Sequence, residues 1–255
     1  MWQAIRKFYH QLGTPREFYR ISGYFIPFFA VGSILLFCVS AYLGLVVAPA
    51  DYQQGDSFRI IYVHVPSAWL SLFIYVVMAI AALIGLVWRM KMAYIVMVCS
   101  APIGAMFTFM ALVTGSLWGK PIWGTWWQWE ARLTSELVLL FLYFGVMALY
   151  SAFSERKTAE KASAILCIVG VINIPIIHYS VEWWNSLHQG STVIRAGGPA
   201  MPASMLTPLL LMAVAFKLYY GWILFLKCRS QAIIQEKASS WVRDMIADQQ
   251  SSNTL

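Results

Sequence analysis

Charge is what this chain has least of. Only 11% of its 255 residues are Asp, Glu, Lys or Arg, and 60% are hydrophobic, whereas a soluble domain carries about a quarter charged residues. An ordinary soluble domain is thereby excluded. Cysteine is scarce too. Cys38, Cys99, Cys167 and Cys228 each stand alone, which leaves a disulfide framework, a zinc site and a Cys-x-x-Cys redox pair without support. The N-terminus lacks a short apolar core followed by a small-residue cleavage site, so a removed signal peptide is not expected. Internal repeats and low-complexity tracts are missing. The net charge of +7 does not argue for nucleic acid, because the cytoplasmic loops of a membrane protein produce the same balance. Gly115-Ser-Leu-Trp-Gly119-Lys120 falls one residue short of a phosphate loop and has Pro121 where Ser or Thr belongs. The same two glycines read as a Gly-x-x-x-Gly helix contact. No motif places a Ser/His/Asp set, and an enzyme is not expected.

Long apolar runs are what the chain has most of. Runs of 18 or more apolar residues read as transmembrane helices, and they predict an all-α membrane protein, a six-transmembrane-helix bundle forming one integral membrane domain over residues 1–255. The spans are expected at about 24–48, 60–88, 93–117, 134–153, 162–179 and 205–226. Pro175 predicts a kink near the end of the fifth. Residues 1–22, with Arg6, Lys7, Arg16 and Arg20, read as an amphipathic segment on the inner surface. Thirteen of the 18 basic residues fall on one side of this arrangement. Arg59, Lys120, Arg132 and Arg195 fall on the other, and Lys217 lies inside the sixth run, snorkelling or against the bundle. The positive-inside rule then puts both termini in the cytoplasm.

The outer side is where aromatic residues gather. Five of the 12 tryptophans (Trp118, Trp123, Trp126, Trp127 and Trp129) lie in the 118–132 loop between spans three and four. Were this loop helical, Trp123, Trp126, Trp127 and Glu130 would share one face. The cluster reads either as an interfacial aromatic belt or as a wall for a large flat apolar ligand. His64, near the outer end of span two, His178, at the end of span five, and His188, after the Trp183–Trp184 pair, reach the same side. His10 reads as a surface residue. Two neutral imidazoles could complete the axial coordination of a haem iron, aromatic walls cover porphyrin faces, and arginines pair with propionates. Which two histidines would serve is open from spacing alone. Glu136 reads as a proton-relay carboxylate or as an i−4 partner of Arg132.

The segment Trp118-Gly-Lys-Pro-Ile-Trp-Gly-Thr-Trp-Trp-Gln-Trp-Glu130 resembles the tryptophan-rich "WWD" signature of the haem-handling proteins of bacterial cytochrome c biogenesis. The resemblance extends to Tyr62-Val-His-Val-Pro66, to Ala131-Arg-Leu-Thr-Ser-Glu-Leu137 and to the stretch from His178 to Thr192. Together with the six-span length, it is closest to the CcmC family. It covers most of the chain and is weakest at the termini and across Val193 to Pro208. The resemblance implies that His64 and His188 are the axial ligands of haem b carried as cargo, and that His178 is not. It implies a platform of Trp118, Trp123, Trp126, Trp127 and Trp129, joined by Trp183 and Trp184, with Arg59, Arg132 and Glu130 making propionate or polar contacts. It further implies a multi-pass protein of the bacterial inner membrane whose periplasmic face delivers haem to the membrane-anchored chaperone CcmE, with CcmD and the CcmA/CcmB transporter as partners. The signature normally ends in Asp, and Glu130 stands there instead; Glu is the poorer helix cap, and the longer side chain alters its reach to a partner. Two alternatives remain: a transporter of haem or another small molecule, for which Lys217 and Asn173 are the main hints of a polar path, and a structural subunit of a larger complex.

Overall fold

In lipid every backbone N–H and C=O must find its partner inside the protein, and a continuous apolar chain does so by forming helices. The computed structural model describes residues 13–184, 186–188, 190, 193 and 197–252. Arg6, Lys7 and His10, with most of the amphipathic N-terminal segment, lie outside the described residues, as do Asn185, Gln189, Ser191, Thr192 and Arg195. Among the described residues there is no strand, only an isolated bridge between Asp51 and Gly55. Six segments are long and apolar enough to cross a membrane: Pro15–Val47, Asp56–Trp88, Lys91–Trp123, Ala131–Ala152, Arg156–Trp183 and Ala203–Gln235.

Helix α1 (Pro15–Tyr42) starts with Pro at its first position, where no amide partner is lost, and closes in a π-helical turn, Leu43–Val47. Pro49 forces Ala48 to extended ψ (135°) and stops it. A 3-10 turn, Asp56–Ile60, leads into α2 (Ile61–Trp88); α3 (Lys91–Trp123) returns. Helices α4 (Ala131–Ala152), α5 (Arg156–Gly170), α6 (Asn173–Trp183), α7 (Ala203–Gln235) and α8 (Ser240–Ser252) complete the order. The fifth span is the α5–α6 pair. Pro175 has no N–H for the Val171 carbonyl and its ring crowds that carbonyl, so the break falls at Val171–Ile172, earlier than a kink at the proline itself.

Most spans outrun their apolar cores, because helical hydrogen bonding continues where hydropathy has already faded. The difference matters most in α3. It was expected to end near residue 117 but runs to Trp123 and stops at Gly124, whose φ of +77° is the left-handed cap glycine supplies. Trp118 and Trp123 are therefore helical residues, and the loop proper is residues 124–130. The shared face of Trp123, Trp126, Trp127 and Glu130 does not form.

Helix α1 packs along α7; α2 packs on α3, α5 and α7; α3 also meets α4 and α7, and α4 covers α5 and α6. With lipid as apolar as leucine, close approach rather than water exclusion holds such a bundle. Aromatic rings seat in glycine notches across several of these contacts: Tyr143 against Gly104, Tyr75 against Gly170, Phe29 against Gly221. Tyr143 is fully buried and its hydroxyl donates to the Ser71 carbonyl at 2.6 Å. Beside it, buried Glu136 bonds Ser71 Oγ at 2.8 Å rather than Arg132. The opposite end of the bundle gathers Arg89, Lys91, Arg156, Lys227 and Arg229, with Lys91 paired to Glu236 at 2.9 Å.

Gly104→Ala puts a Cβ inside the Tyr143 ring and is expected to cost about 1–3 kcal/mol through overpacking. Gly145→Ala meets only the mobile end of Leu166, at 3.0 Å, and should be neutral or slightly stabilising. Thermal unfolding of both variants in detergent checks the contrast.

Candidate functional site

The final turns of α3 serve as the ruler for the site. Ala111, Thr114, Gly115 and Trp118 recur at helical spacing on the side that meets α2. His64, in the first turn of α2, lies against them with Nδ1 3.0 Å from the Ala111 carbonyl and 3.0 Å from Thr114 Oγ1. The Thr114 hydroxyl donates to Met110 O at 2.7 Å, which leaves its oxygen free to accept. A carbonyl only accepts, so His64 carries its proton on Nδ1 and its lone pair on Nε2. Gly115 makes this possible: a Cβ there would stand 2.9 Å from His64 Cε1. The Trp118 ring closes on the imidazole edge-on at 5.7 Å, and its Nε1 donates to Gln54 Oε1 at 2.9 Å.

Gly124 turns the chain out of α3, and residues 124–130 fold back over the helix end. Lys120 Nζ donates to Gly124 O at 3.0 Å and Ser116 Oγ to Trp126 O at 2.6 Å. The chain arrives extended at Glu130 (φ −109°, ψ 167°), the residue before α4. Its carboxylate makes no capping bond to that helix. It reaches instead to the last loop and accepts from His188 Nδ1, from Ser186 Oγ and, at 3.0 Å, from the Leu187 amide. Capping is not what this side chain does here. Only 8% of the Glu130 side chain and 18% of that of His188 is exposed. Burial pushes the Glu130 carboxyl up, but the bonds from His188, Ser186 and Leu187 outweigh it and hold it below the ordinary carboxylate value. Being depressed, it keeps its charge at neutral pH and releases the anchor only when pH falls through that lowered value. His188 too is held by Nδ1, with no partner for Nε2 among the described residues, and the Trp123 ring packs against it at 4.8 Å. His188 and Arg132 both lie within Coulombic range of His64.

The remaining expected residues divide. Trp118, Trp123 and Trp127 are half-buried against this centre, whereas Trp126, Trp129, Trp183 and Trp184 face outward; the seven do not make one sheet. Arg132 Nη2 donates to the His178 carbonyl at 3.2 Å. His178 thus contributes a backbone oxygen while its ring is exposed beside Tyr179. Arg59 is partly engaged, with Nε 2.9 Å from Asp56 Oδ1 and Nη1 2.7 Å from Gly44 O in the π turn. Among the described residues three buried polar atoms have no partner, Arg132 Nε, Trp127 Nε1 and Tyr62 Oη, and all three belong to this end of the bundle. Buried donors without acceptors are costly.

Sequence reasoning missed Thr114, Ser186 and Gln54, polar residues that nothing in the pattern sets apart. Gly115 and Gly119 were visible only as a helix contact. They admit rings instead, His64 at Gly115 and Trp123 at Gly119. Among the described residues no cluster of three or more His, Cys, Asp or Glu could hold a metal ion. Two imidazoles do not cage a bare ion; they suffice when a planar ring supplies the other ligands.

Comparison with known proteins shows the family. The family model described as "Heme exporter protein C" matches residues 8–243. The chain is similar to "Heme exporter protein C" of Escherichia coli (strain K12), 52% identical over 96% of this chain and 98% of that protein. It is also similar to the protein of the same name from Haemophilus influenzae, 49% identical over 95% and 97%. A ccmC-like mitochondrial protein of cytochrome c biosynthesis from Marchantia polymorpha is 46% identical over 76% of this chain and 82% of its own length.

Removing the carboxylate should loosen the loop it gathers. A charged hydrogen bond of about 1.5–3 kcal/mol corresponds to a rise of roughly ten- to a hundredfold in amide exchange at Leu187 for Glu130→Ala, with exchange in the middle of α4 unchanged. Hydrogen-exchange mass spectrometry reads both.

Proposed function

The chain belongs to the Heme exporter protein C family, and on that premise we propose that it holds haem b as cargo between His64 and His188 and hands it to the haem chaperone CcmE during maturation of c-type cytochromes. The observation that carries the reading is the shared state of the two imidazoles. Each gives its Nδ1–H to a fixed acceptor, Ala111 O or Glu130, and keeps Nε2 for a metal. Metal-bound histidines are held in this way, by a carboxylate or carbonyl behind the ring.

The other groups take supporting parts. Trp118, Trp123 and Trp127 line the macrocycle, where an apolar wall excludes water from the iron. Arg132, with its partnerless Nε, and Arg59, through the part of its guanidinium left over from Asp56 and Gly44, meet the propionates; charge-assisted pairs of this kind are the strong ones. Glu130 orients His188 and raises its basicity. The outward-facing Trp126, Trp129, Trp183 and Trp184 are the surface that CcmE meets, alongside CcmD, and the CcmA/CcmB transporter acts on the loaded chaperone. On this reading the role is binding and transfer of haem. The excess of basic residues at the opposite end supports a cytoplasmic position for that end, and with it a site at the periplasmic face of the bacterial inner membrane.

Purified protein should show the low-spin spectrum of bis-imidazole haem. His64→Ala and His188→Ala are each expected to abolish it, and His178→Ala to leave it intact. Glu130→Gln should weaken haem retention about ten- to a hundredfold. Retention of the low-spin spectrum in either ligand variant would overturn the assignment. For orientation, a cysteine at Thr125 should react with a membrane-impermeant maleimide in spheroplasts, and one at Lys157 only after lysis; the reverse pattern would place the site in the cytoplasm.

A further inference from the structure

Lys217 is the one basic side chain among the described residues that lies deep in an apolar span and is exposed there. It is nine residues from Leu226, beyond which Lys227 and Arg229 close the apolar stretch, and twelve from Met205. At 1.5 Å per residue these are about 13 Å and about 18 Å, both longer than a lysine stem can snorkel. Phe73, opposite it, is likewise twelve residues into α2. Lysine at such a depth in hydrocarbon is costly and faces a partner, a cavity or water as a rule.

The surroundings supply little compensation. The Lys217 ammonium sits 5.7 Å above the Phe73 ring, a contact that recovers only a minor part of the cost of removing a cation from water. No ion pair to Lys217 occurs among the described residues. Other charges are treated differently: Arg229 lies 3.6 Å over the Tyr19 ring and also donates to the Tyr19 carbonyl, and Glu136 is enclosed and bonded to Ser71.

Lys217 also lies in a furrow. Helices α1 and α2 each pack along α7 and scarcely touch each other. Between them the exposed side chains of α7 are Leu210, Val214 and Lys217, a stripe at i, i+4 and i+7. Phe73 of α2 stands on one side, and on the other Phe29 and Gly32 of α1 pack against Gly221 and Leu218 of α7. The furrow is apolar, helical in register and interrupted by a single positive charge.

We propose that this furrow is the docking track of a transmembrane helix from a second protein, which brings an aspartate or glutamate to Lys217 at mid-membrane depth. Charge complementarity identifies the occupant. A second copy of this chain does not qualify: its 11 acidic residues lie in loops, tails and the opening or closing turns of helices, except Glu136, which is buried inside the bundle. Anionic lipid does not qualify either, because its phosphate stays at the membrane boundary. The inference is independent of the haem reading, since none of these residues belongs to the site at the bundle end.

A photo-crosslinking phenylalanine derivative placed at Leu210 or Val214 of the full chain, in its native membranes, tests the proposal, with the same probe at lipid-facing Phe141 of α4 as the off-track control. The expected result is an adduct from 210 and 214 that maps by mass spectrometry to a transmembrane segment containing Asp or Glu in another protein, and no such adduct from 141. Adding Lys217→Met should lower its yield at least tenfold, and Lys217→Arg should preserve it. Adducts to lipid alone, to a second copy of this chain or to a segment without an acid would each overturn the proposal, as would full yield in Lys217→Met. The haem spectrum, read on the same preparations, should be unaltered; its loss in Lys217→Met would tie the lysine to the site instead and equally overturn the proposal.

Discussion

Helical hydrogen bonding that outlasts hydrophobicity is the constraint on which the site end of this molecule depends. Once α3 is committed to satisfying its own amides in lipid, it continues for six residues past the expected end of its apolar run and stops only where Gly124 adopts φ +77°. That extension fixes Trp118 and Trp123 at helical spacing above Ala111, Thr114 and Gly115. It gives the edge of α2 a carbonyl, a hydroxyl and a notch against which one imidazole can be held. An α3 ending at residue 117 would leave both rings in a loop with nothing to set their spacing.

Much of this was legible in the residues, and unevenly so. Six apolar runs, with basic turns after the second and the fourth, marked the six spans, because hydropathy over some 20 residues is a strong signal. Their ends were not legible, because a helix continues through Trp, Gly, Lys and Pro121 once it has been nucleated. The tryptophans and the histidines near the site were noticed for their chemistry. What divides the tryptophans into a half-buried set and an exposed set is the fold-back of residues 124–130 over α3, made by bonds from Lys120 and Ser116 to backbone carbonyls. Such bonds leave no imprint on composition. The same holds for Thr114, an unexceptional threonine until His64 is laid against it.

Glu130 shows the difference between resemblance and geometry. By family pattern it is the acidic end of a signature; by position it is the cap residue of α4. The structure turns it away from that helix, toward a loop more than 50 residues further on. There it gathers a hydroxyl, an amide and an imidazole, a set of donors that a carboxylate can satisfy and an amide or hydroxyl cannot. The longer Glu in place of Asp is compatible with that reach. One side chain thus ties two loops together at the same end of the bundle.

The break at Val171–Ile172 gives the two imidazoles unequal mechanical support. His64 is set in a continuous helix of 28 residues, wedged by α3. His188 follows an 11-residue rod, α6, that is detached from α5 by the break and leads into an irregular segment. Among the described residues it is held by the Glu130 carboxylate, the Trp123 indole and a bond from its own amide to Ser186 Oγ. On the proposed reading the pair would act as a fixed post and a latch, and haem held between the two rings would be freed by moving one loop while the six-helix frame stays still.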